Sequence, residues 1–269
     1  MKNTIGGKMN KYITYINNFK NYKYLLLLLT RSHISKKYRG SFLGILWSLL
    51  NPLFQMIVLT LIFSTLFKNH IDNFPLYMIT ARLIYEFFSM GTNGAMKSIV
   101  DSSSLIKKVY IPKYLITISK VLADFIIFLI SLIDLLIVML ITGADFTINL
   151  IYVPLYLFLL FVFTTGISLI LSTITVFFRD IEHLYGIFIM ILMYFSAIFY
   201  PANIIPQRFQ FVLQANPIYQ FITGFRQVIY YGQPIELMNL LYCFIAGAIS
   251  IVIGLVVFER NQHKFILHV

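Results

Sequence analysis

The stretch KKYRGSFLGILWSLLNPLFQMIVLTLIF, residues 36–63, decides the fold class. Its basic residues, Lys36, Lys37 and Arg39, lie at the start. The 27 residues after Gly40 carry no charge. A hydrocarbon core of about 30 Å is crossed by about 20 apolar helical residues. Basic residues directly before such a span mark its cytoplasmic end, because loops retained inside carry excess Lys and Arg. The stretch therefore predicts a span at 43–67 that starts on the cytoplasmic side.

The composition extends this conclusion to the whole chain. Hydrophobic residues make up 59% of the 269 residues and charged residues only 12%, whereas globular domains carry about 25% charged residues. So little polar surface cannot cover a fold exposed to water, so we predict an all-α membrane protein. Long apolar runs, instead of alternating ten-residue segments, argue against an outer-membrane barrel.

The apolar segments predict six transmembrane spans in a single domain, residues 1–269. The segment 201–236 differs, because four prolines separate apolar pieces too short to cross, and we expect two re-entrant helices there at the outer face. The predicted spans lie at 43–67, 74–96, 114–142, 150–178, 184–200 and 237–258.

The N-terminal 40 residues precede the first span. Within them, the segment from Ile13 to Ser35 mixes aromatic residues and leucines with Lys and Arg. This mixture predicts an amphipathic helix in the cytoplasmic membrane interface, with its basic residues toward lipid headgroups. The alternative is an ordinary basic leader to the first span.

The basic residues test this topology. Seventeen of the 21 Lys and Arg residues fall in segments assigned to the cytoplasm, three fall outside, and one lies within a span. This is the positive-inside pattern, with both termini cytoplasmic. It also explains the net charge of +11 without nucleic acid as a partner.

Motifs for catalysis and metal binding are absent from the sequence. It contains no GxxxxGK[ST] phosphate loop, no HExxH and no CxxC pair, and its five histidines lack the spacing of metal ligands. We therefore predict no catalytic residue, no metal site and no cofactor bound by this chain. If the protein pumps a substrate, the energy must come from a partner or an ion gradient.

Charged residues inside the predicted spans are candidates for a pore or gate. A charge at mid-depth costs about 2.5–3.5 kcal/mol on insertion scales, so Arg82, Glu86, Asp124 and Asp134 should face protein or water. Arg82 and Glu86 lie four residues apart, on one helical face. We take Arg82, Tyr85, Glu86 and Asp134 as the candidates; the alternative is that Arg82 and Glu86 only neutralise each other.

Four motifs in order along the chain carry a resemblance to a known family. They are YRGSFLGILWSLLNPL (38–53), SSLIKKVYIPK (103–113), FFRDIEHL (177–184), and the stretch from FYP (199–201) through NPIYQFITGFRQ (216–227). With these motifs the chain resembles the membrane-spanning subunit of ABC-2 type polysaccharide exporters. That group moves O-antigen, teichoic acid and related lipid-linked glycans.

The resemblance implies a bacterial or archaeal cytoplasmic-membrane homodimer. Each subunit would pair with a separate cytoplasmic ATPase that binds ATP and Mg, so the missing phosphate loop is expected. Segment 97–113 would be the coupling loop to that ATPase, with Leu105 and Ile106 as its exposed apolar residues; the alternative is a plain basic loop. The implied coupling residues are Ser103, Leu105, Ile106, Lys107, Lys108, Tyr110 and Pro112.

The resemblance also implies a substrate path. A polyprenyl-pyrophosphate-linked glycan would come in laterally at Lys36, Lys37, Tyr38 and Arg39, although positive-inside bias alone also places basic residues there. The re-entrant helices would cap the exit, with Asn216, Pro217 and Arg226 among their residues.

Two other functions stay open at the level of sequence. One is an ABC-2 type exporter of a small molecule such as a drug. The other is a membrane-embedded enzyme of glycan assembly, which would need acids or histidines clustered at one membrane face. The outer acidic residues Asp72, Asp145 and Glu236 are scattered singly, which argues against the enzyme.

Overall fold

The computed structural model describes residues 22–67 and 71–268, which contain helices and no strand. The part of the predicted interface helix at 13–21 lies outside the described residues. In chain order the helices are α1 Lys23–Tyr38, α2 Trp47–Phe67, α3 Phe74–Asp101, α4 Ser103–Lys108, α5 Tyr114–Thr142, α6 Val153–Phe177, α7 Ile181–Tyr194, α8 Gln207–Ala215, α9 Pro217–Ile229, α10 Leu237–Asn261 and α11 Phe265–His268.

Four helical segments in this part of the chain are long and apolar enough to cross a membrane. They match the predicted spans one, three, four and six. Helix α7 is apolar but has 14 residues, so it is about 21 Å long, less than the hydrocarbon thickness of about 30 Å. The four segments are Gly44–Phe63, Tyr114–Thr142, Ile148–Phe177 and Leu237–Asn261.

Helix α3 occupies the centre and contacts α2, α5, α6, α7 and α9. The side chain of Asn73 caps its first turn by accepting a hydrogen bond from the Leu76 N–H at 3.2 Å, a standard way to satisfy an unpaired N-terminal donor. The helix reaches Asp101, five residues beyond the predicted end at 96. Because protein surrounds it, α3 needs less apolar surface than a lipid-facing span and can carry Arg82 and Glu86.

Helices α6 and α10 pack closely because glycines lie between them. A Cβ added at Gly254 would lie 2.5 Å from the carbonyl oxygen of Gly166, and a Cβ at Gly166 would overlap the backbone of Ser250. Small residues allow such backbone approach between membrane helices, where dispersion contacts replace the hydrophobic driving force.

Helix α1 lies along α5. It buries Leu26 and Thr30, while Leu27 and Leu28 are about half exposed. Its five consecutive leucines, residues 25–29, encircle the helix, because one turn takes 3.6 residues. The described part is therefore less amphipathic than expected: apolar side chains contact α5 and also cover the opposite face.

The predicted fifth span, 184–200, is interrupted. Helix α7 starts three residues earlier and ends at Tyr194, and Ala197 has a φ of +48°, a region that residues with a Cβ rarely adopt. The chain after Tyr194 therefore leaves the helical path, and its carbonyl groups need partners from elsewhere.

Candidate functional site

A charge network ties the interface helix to the membrane domain. The ammonium of Lys37 on α1 lies 3.3 Å from one carboxylate oxygen of Asp124 on α5, and the ammonium of Lys120 lies 3.2 Å from the other. The side chain of Asp124 is 3% exposed. Attraction to the two cations offsets the free-energy cost of burying this carboxylate. Without such partners, burial of the charge would destabilise the fold.

A cavity of about 100 Å³ opens beside this network. Lys37 and Tyr38 line it from α1, Glu86 from α3 and Asp124 from α5. The sequence assigned the first two residues to a lipid entrance and Glu86 to a gate. The structure brings these separate predictions together around one small cavity, whose lining combines these polar residues with apolar ones.

The remaining gate candidates on α3 are held by protein partners. The Arg82 guanidinium donates to the Gln55 side chain on α2 and lies 3.7 Å from Glu86. The Tyr85 hydroxyl donates to the Ile189 carbonyl on α7 at 3.0 Å. These contacts link α3 to α2 and α7.

Asp134 is separate from this group. It is fully buried on α5, and neither carboxylate oxygen has a hydrogen-bond partner among the described residues. It does not line the cavity beside Lys37. Of the four gate candidates, it therefore has the most buried polar atoms without a hydrogen-bond partner among the described residues.

An open groove of about 760 Å³ runs along the other side of α1. Arg31 and Arg39 line it together with apolar residues that include Leu27 and Ile34. The sequence prediction named Arg39 but missed Arg31. The signal was available, because Arg31 lies two residues after the leucine run, in the segment predicted to form the interface helix.

The predicted coupling loop contains the short helix α4. Lys107, Lys108 and Tyr110 are exposed, as a docking role requires. The expectation that Ile106 is exposed was wrong: it is 9% exposed and packs in a cluster with Phe258 and Phe265. The exposed apolar positions of this segment are Val109 and Tyr110, and Leu105 is half-buried.

The C-terminal segment supports this loop from behind. Phe265 is fully buried, and Lys113, directly before α5, donates to the Gln262 carbonyl at 2.7 Å. Burial lowers the pKa of Lys113. Pro112 lies in the non-helical link between α4 and α5, so the tail and this link together fix the position of α4.

Arg226 donates hydrogen bonds to the free carbonyl groups of the non-helical segment after α7. Its guanidinium donates to the carbonyls of Tyr77, Ala197 and Ile198 at 3.1, 2.9 and 3.1 Å. It also lies over the Tyr77 ring, 3.4 Å from the centroid, a favourable cation–π geometry. Arg226 is 4% exposed, so it joins α3, α9 and the broken segment from inside.

Asn216 adds a second connection to the same segment. Its side chain caps α9 by accepting from the Ile218 N–H at 3.0 Å. Its amide donates to the Phe195 carbonyl at 2.8 Å. Pro217 occupies the first turn, where its missing N–H costs nothing. The start of α9 is thereby fixed to the end of α7.

Removing the charge of Asp124 should loosen α1. In an Asp124→Asn variant, Lys37 and Lys120 lose their ionic partner, so we expect trypsin cleavage after Lys36 and Lys37 to accelerate on the order of tenfold. The matched control is Asp101→Asn, since Asp101 is an exposed aspartate at the end of α3. Equal cleavage rates in both variants would contradict a role of the network in holding α1.

The docking of α1 should also depend on pH through His33. Burial, with Lys120 and Lys36 nearby, lowers the pKa of His33 to about 4, against the smaller opposite effect of Asp124. The folded protein then binds the proton less well than the unfolded chain, so stability falls as pH drops from about 6.5 toward about 4.

We expect His33→Gln to reduce the loss of melting temperature between about pH 7 and about pH 5, measured in detergent. The same change at the exposed His263 is the control. A variant at residue 33 with the wild-type pH dependence would show that His33 does not carry the effect.

Comparisons with known proteins identify a family and several relatives. A profile described as ABC-2 type transporter matches residues 24–230. The O-antigen export system permease protein RfbA of Klebsiella pneumoniae is 28% identical over 243 residues, which cover 90% of this chain and 93% of that protein. The protein of the same name from Myxococcus xanthus is 27% identical over 91% of this chain and 95% of its own. The polysialic acid transport protein KpsM of Escherichia coli is 22% identical over 83% and 88%.

Proposed function

Because the chain belongs to the ABC-2 type transporter family, we propose that it is the permease subunit of an ATP-driven polysaccharide exporter. Its substrate would be a polyprenyl-pyrophosphate-linked glycan, such as an O-antigen or a teichoic acid, moved across the bacterial cytoplasmic membrane. The observation that carries this proposal is the match, over nine-tenths of both chains, to permeases named for O-antigen export.

The proposed topology has six spans in one domain with both termini in the cytoplasm. We count helix α3 as a span in addition to the four apolar helices, because its 28 residues are long enough to cross the membrane. Helix α7 with its irregular extension forms the fifth span. Helices α8 and α9 are then re-entrant at the outer face, where residues 201–236 return to the side they came from. The positive-inside distribution of Lys and Arg supports this orientation.

Energy would come from a separate ATPase subunit that holds ATP and Mg. The chain has no phosphate loop, and α4 offers an exposed basic surface at Lys107 and Lys108. Tyr110, 93% exposed, is an apolar anchor of the kind that interfaces favour. The complex would contain two copies of this chain and two of the ATPase, with part of the exposed apolar surface covered by the second copy.

The lipid pyrophosphate would come in along the groove beside α1. Arg39 and Arg31 supply positive charge there, and the apolar residues between them suit a polyprenyl chain. Lys36 is exposed nearby, whereas Lys37 is engaged with Asp124. Arginine suits this role because its planar fork binds phosphate oxygens in a bidentate manner.

The small cavity beside Lys37 is the proposed link between this entrance and the gate. Glu86 lines it and also lies near Arg82, so movement of α1 can reach the charge pair on α3. Asp134 and Tyr85 complete the set of candidate gate residues. Their roles follow from burial and charge within the spans.

The proposal is tested in cells that carry a deletion of this gene. We expect the cell surface to lose one polysaccharide, and the lipid-linked form of that glycan to accumulate on the cytoplasmic side. Immunoblotting of surface glycan and mass spectrometry of the lipid fraction measure the two effects. A deletion strain with normal surface glycan, or with loss of glycan but no lipid-linked intermediate, would contradict the proposal.

A further inference from the structure

A large cavity lies far from α4. Its volume is about 800 Å³, and it is open on one side. It is lined by the start of α3, the loop after α5, the segment after α7 and the end of α9. Since α4 follows the other end of α3, about 42 Å along the helix, the cavity lies at the outer face in the proposed topology.

Tyrosines form one wall of this cavity. Tyr77, Tyr219, Tyr230 and Tyr231 all line it. The rings of Tyr77 and Tyr230 meet edge to face at 5.5 Å between centroids, and those of Tyr230 and Tyr231 at 4.8 Å. Tyr231 remains 58% exposed, so at least this ring is open to a ligand.

The rest of the lining mixes apolar residues with polar and acidic ones. Asp72 and Asp145 are exposed there, and Asn73 and Asn203 add amide groups. Carboxylates accept and amides both donate and accept hydrogen bonds, which suits a ligand with many hydroxyl groups. The two carboxylates disfavour a ligand that is itself anionic.

The cationic residue of the lining does not reverse this charge preference. Arg226 is 4% exposed, and its three guanidinium nitrogens donate to backbone carbonyls. Its function is to hold the cavity wall, because it fixes the Tyr77 ring from one side. A ligand therefore meets tyrosine rings and carboxylates before it meets the cation.

We propose that this outer cavity is a binding site for a neutral, hydroxyl-rich oligosaccharide segment. The C–H faces of pyranose rings stack on aromatic rings, while the ring hydroxyls bond to carboxylates and amides. A volume of about 800 Å³ lies within the range of about 300–1,000 Å³ usual for ligand sites. The assignment rests on the proposed function for its glycan, and it adds where the emerging sugar is held and which charge class is accepted.

The test uses a single introduced cysteine as a reporter. The chain has one cysteine, Cys243, which is fully buried, so an Asn203→Cys variant presents the accessible thiol at the cavity. The purified full chain is labelled with a membrane-impermeant maleimide, with or without maltotetraose or chitotetraose. A tetramer of sialic acid is the anionic probe. Gln207→Cys, exposed in the same outer segment but outside the cavity lining, is the matched control.

We expect a neutral tetrasaccharide at about twice its Kd to slow labelling of Asn203→Cys about threefold, since one third of the sites stay free. Labelling of Gln207→Cys should not change. Adding Tyr231→Ala should abolish the protection, whereas Tyr231→Phe keeps the ring and should retain it. The sialic acid tetramer should give no protection.

Each contrary result overturns a stated part of the inference. Protection by neither neutral probe would remove the site, and protection by the anionic tetramer alone would reverse the charge class. Equal protection at position 207 would show that the sugar does not act at the cavity. A failure of the proposed function would be detected in a different experiment, as normal surface glycan in the deletion strain. If a neutral sugar still protects Asn203→Cys in that case, the cavity remains a sugar-binding site.

Discussion

Replacing Arg226 by methionine is expected to destabilise the protein more than any other single change on the outer side. Methionine keeps an unbranched apolar stem but is shorter than arginine and leaves the carbonyls of Tyr77, Ala197 and Ile198 without their donor. Each buried unsatisfied group costs about 1–3 kcal/mol, so the total is on the order of 3–5 kcal/mol once relaxation is included. Loss of the contact with the Tyr77 ring adds to it.

The measurement is the melting temperature of the purified protein in detergent, followed by size-exclusion chromatography of heated samples. Arg226→Lys should be intermediate, because lysine keeps the charge but lacks the planar fork that reaches three carbonyls. Arg208→Met is the control, since Arg208 is exposed on the neighbouring helix α8. If Arg226→Met melts within error of Arg208→Met, the guanidinium does not hold the broken segment.

Reversing the charge at Lys107 and Lys108 together is expected to separate the chain from the proposed ATPase subunit. Both side chains are exposed on α4, so their removal leaves the fold intact. Replacing two cations by two glutamates at a docking surface turns attraction into repulsion, which costs several kcal/mol at an interface. We expect loss of co-purification and a fall of export to the level of the deletion strain.

The matched control for this prediction is the double variant Lys107→Arg, Lys108→Arg, which keeps the charge and should keep export. Membrane insertion and melting temperature of the isolated chain serve as a second control, and we expect them to stay at the wild-type level. Normal co-purification of the glutamate variant would show that these lysines do not contact the ATPase.

Much of the helical framework could be predicted because apolar length is a local property of the sequence. The uncharged run that follows Arg39 predicts α2, and similar runs predict α6 and α10; α5 is predicted by its apolar length even though it contains three charged residues. The centre was harder to recognise. Helix α3 carries Arg82 and Glu86 within it, and only its contacts with the surrounding helices explain why those charges are tolerated.

The sequence predicted which residues form the site, but not which residues they contact. Lys37 and Arg226 were both singled out by position, yet their partners lie far along the chain: Asp124 for Lys37, and carbonyls near residues 77 and 197 for Arg226. Helical periodicity relates residues three or four positions apart and carries no information about such distances. For the same reason the burial of Ile106 could not be foreseen, because Phe265 from the C-terminal segment covers it.

The central claim is that this chain is a conduit powered by another subunit. The most direct test is reconstitution of the chain in sealed vesicles loaded with a fluorescent lipid-linked glycan, with and without the partner ATPase. With both proteins and ATP, we predict that the glycan moves to the opposite leaflet, where a glycosidase outside the vesicle can cleave it. Without the ATPase, the glycan should stay protected. Equal, ATP-independent movement by the chain alone, or no movement by the complete complex, would contradict the account.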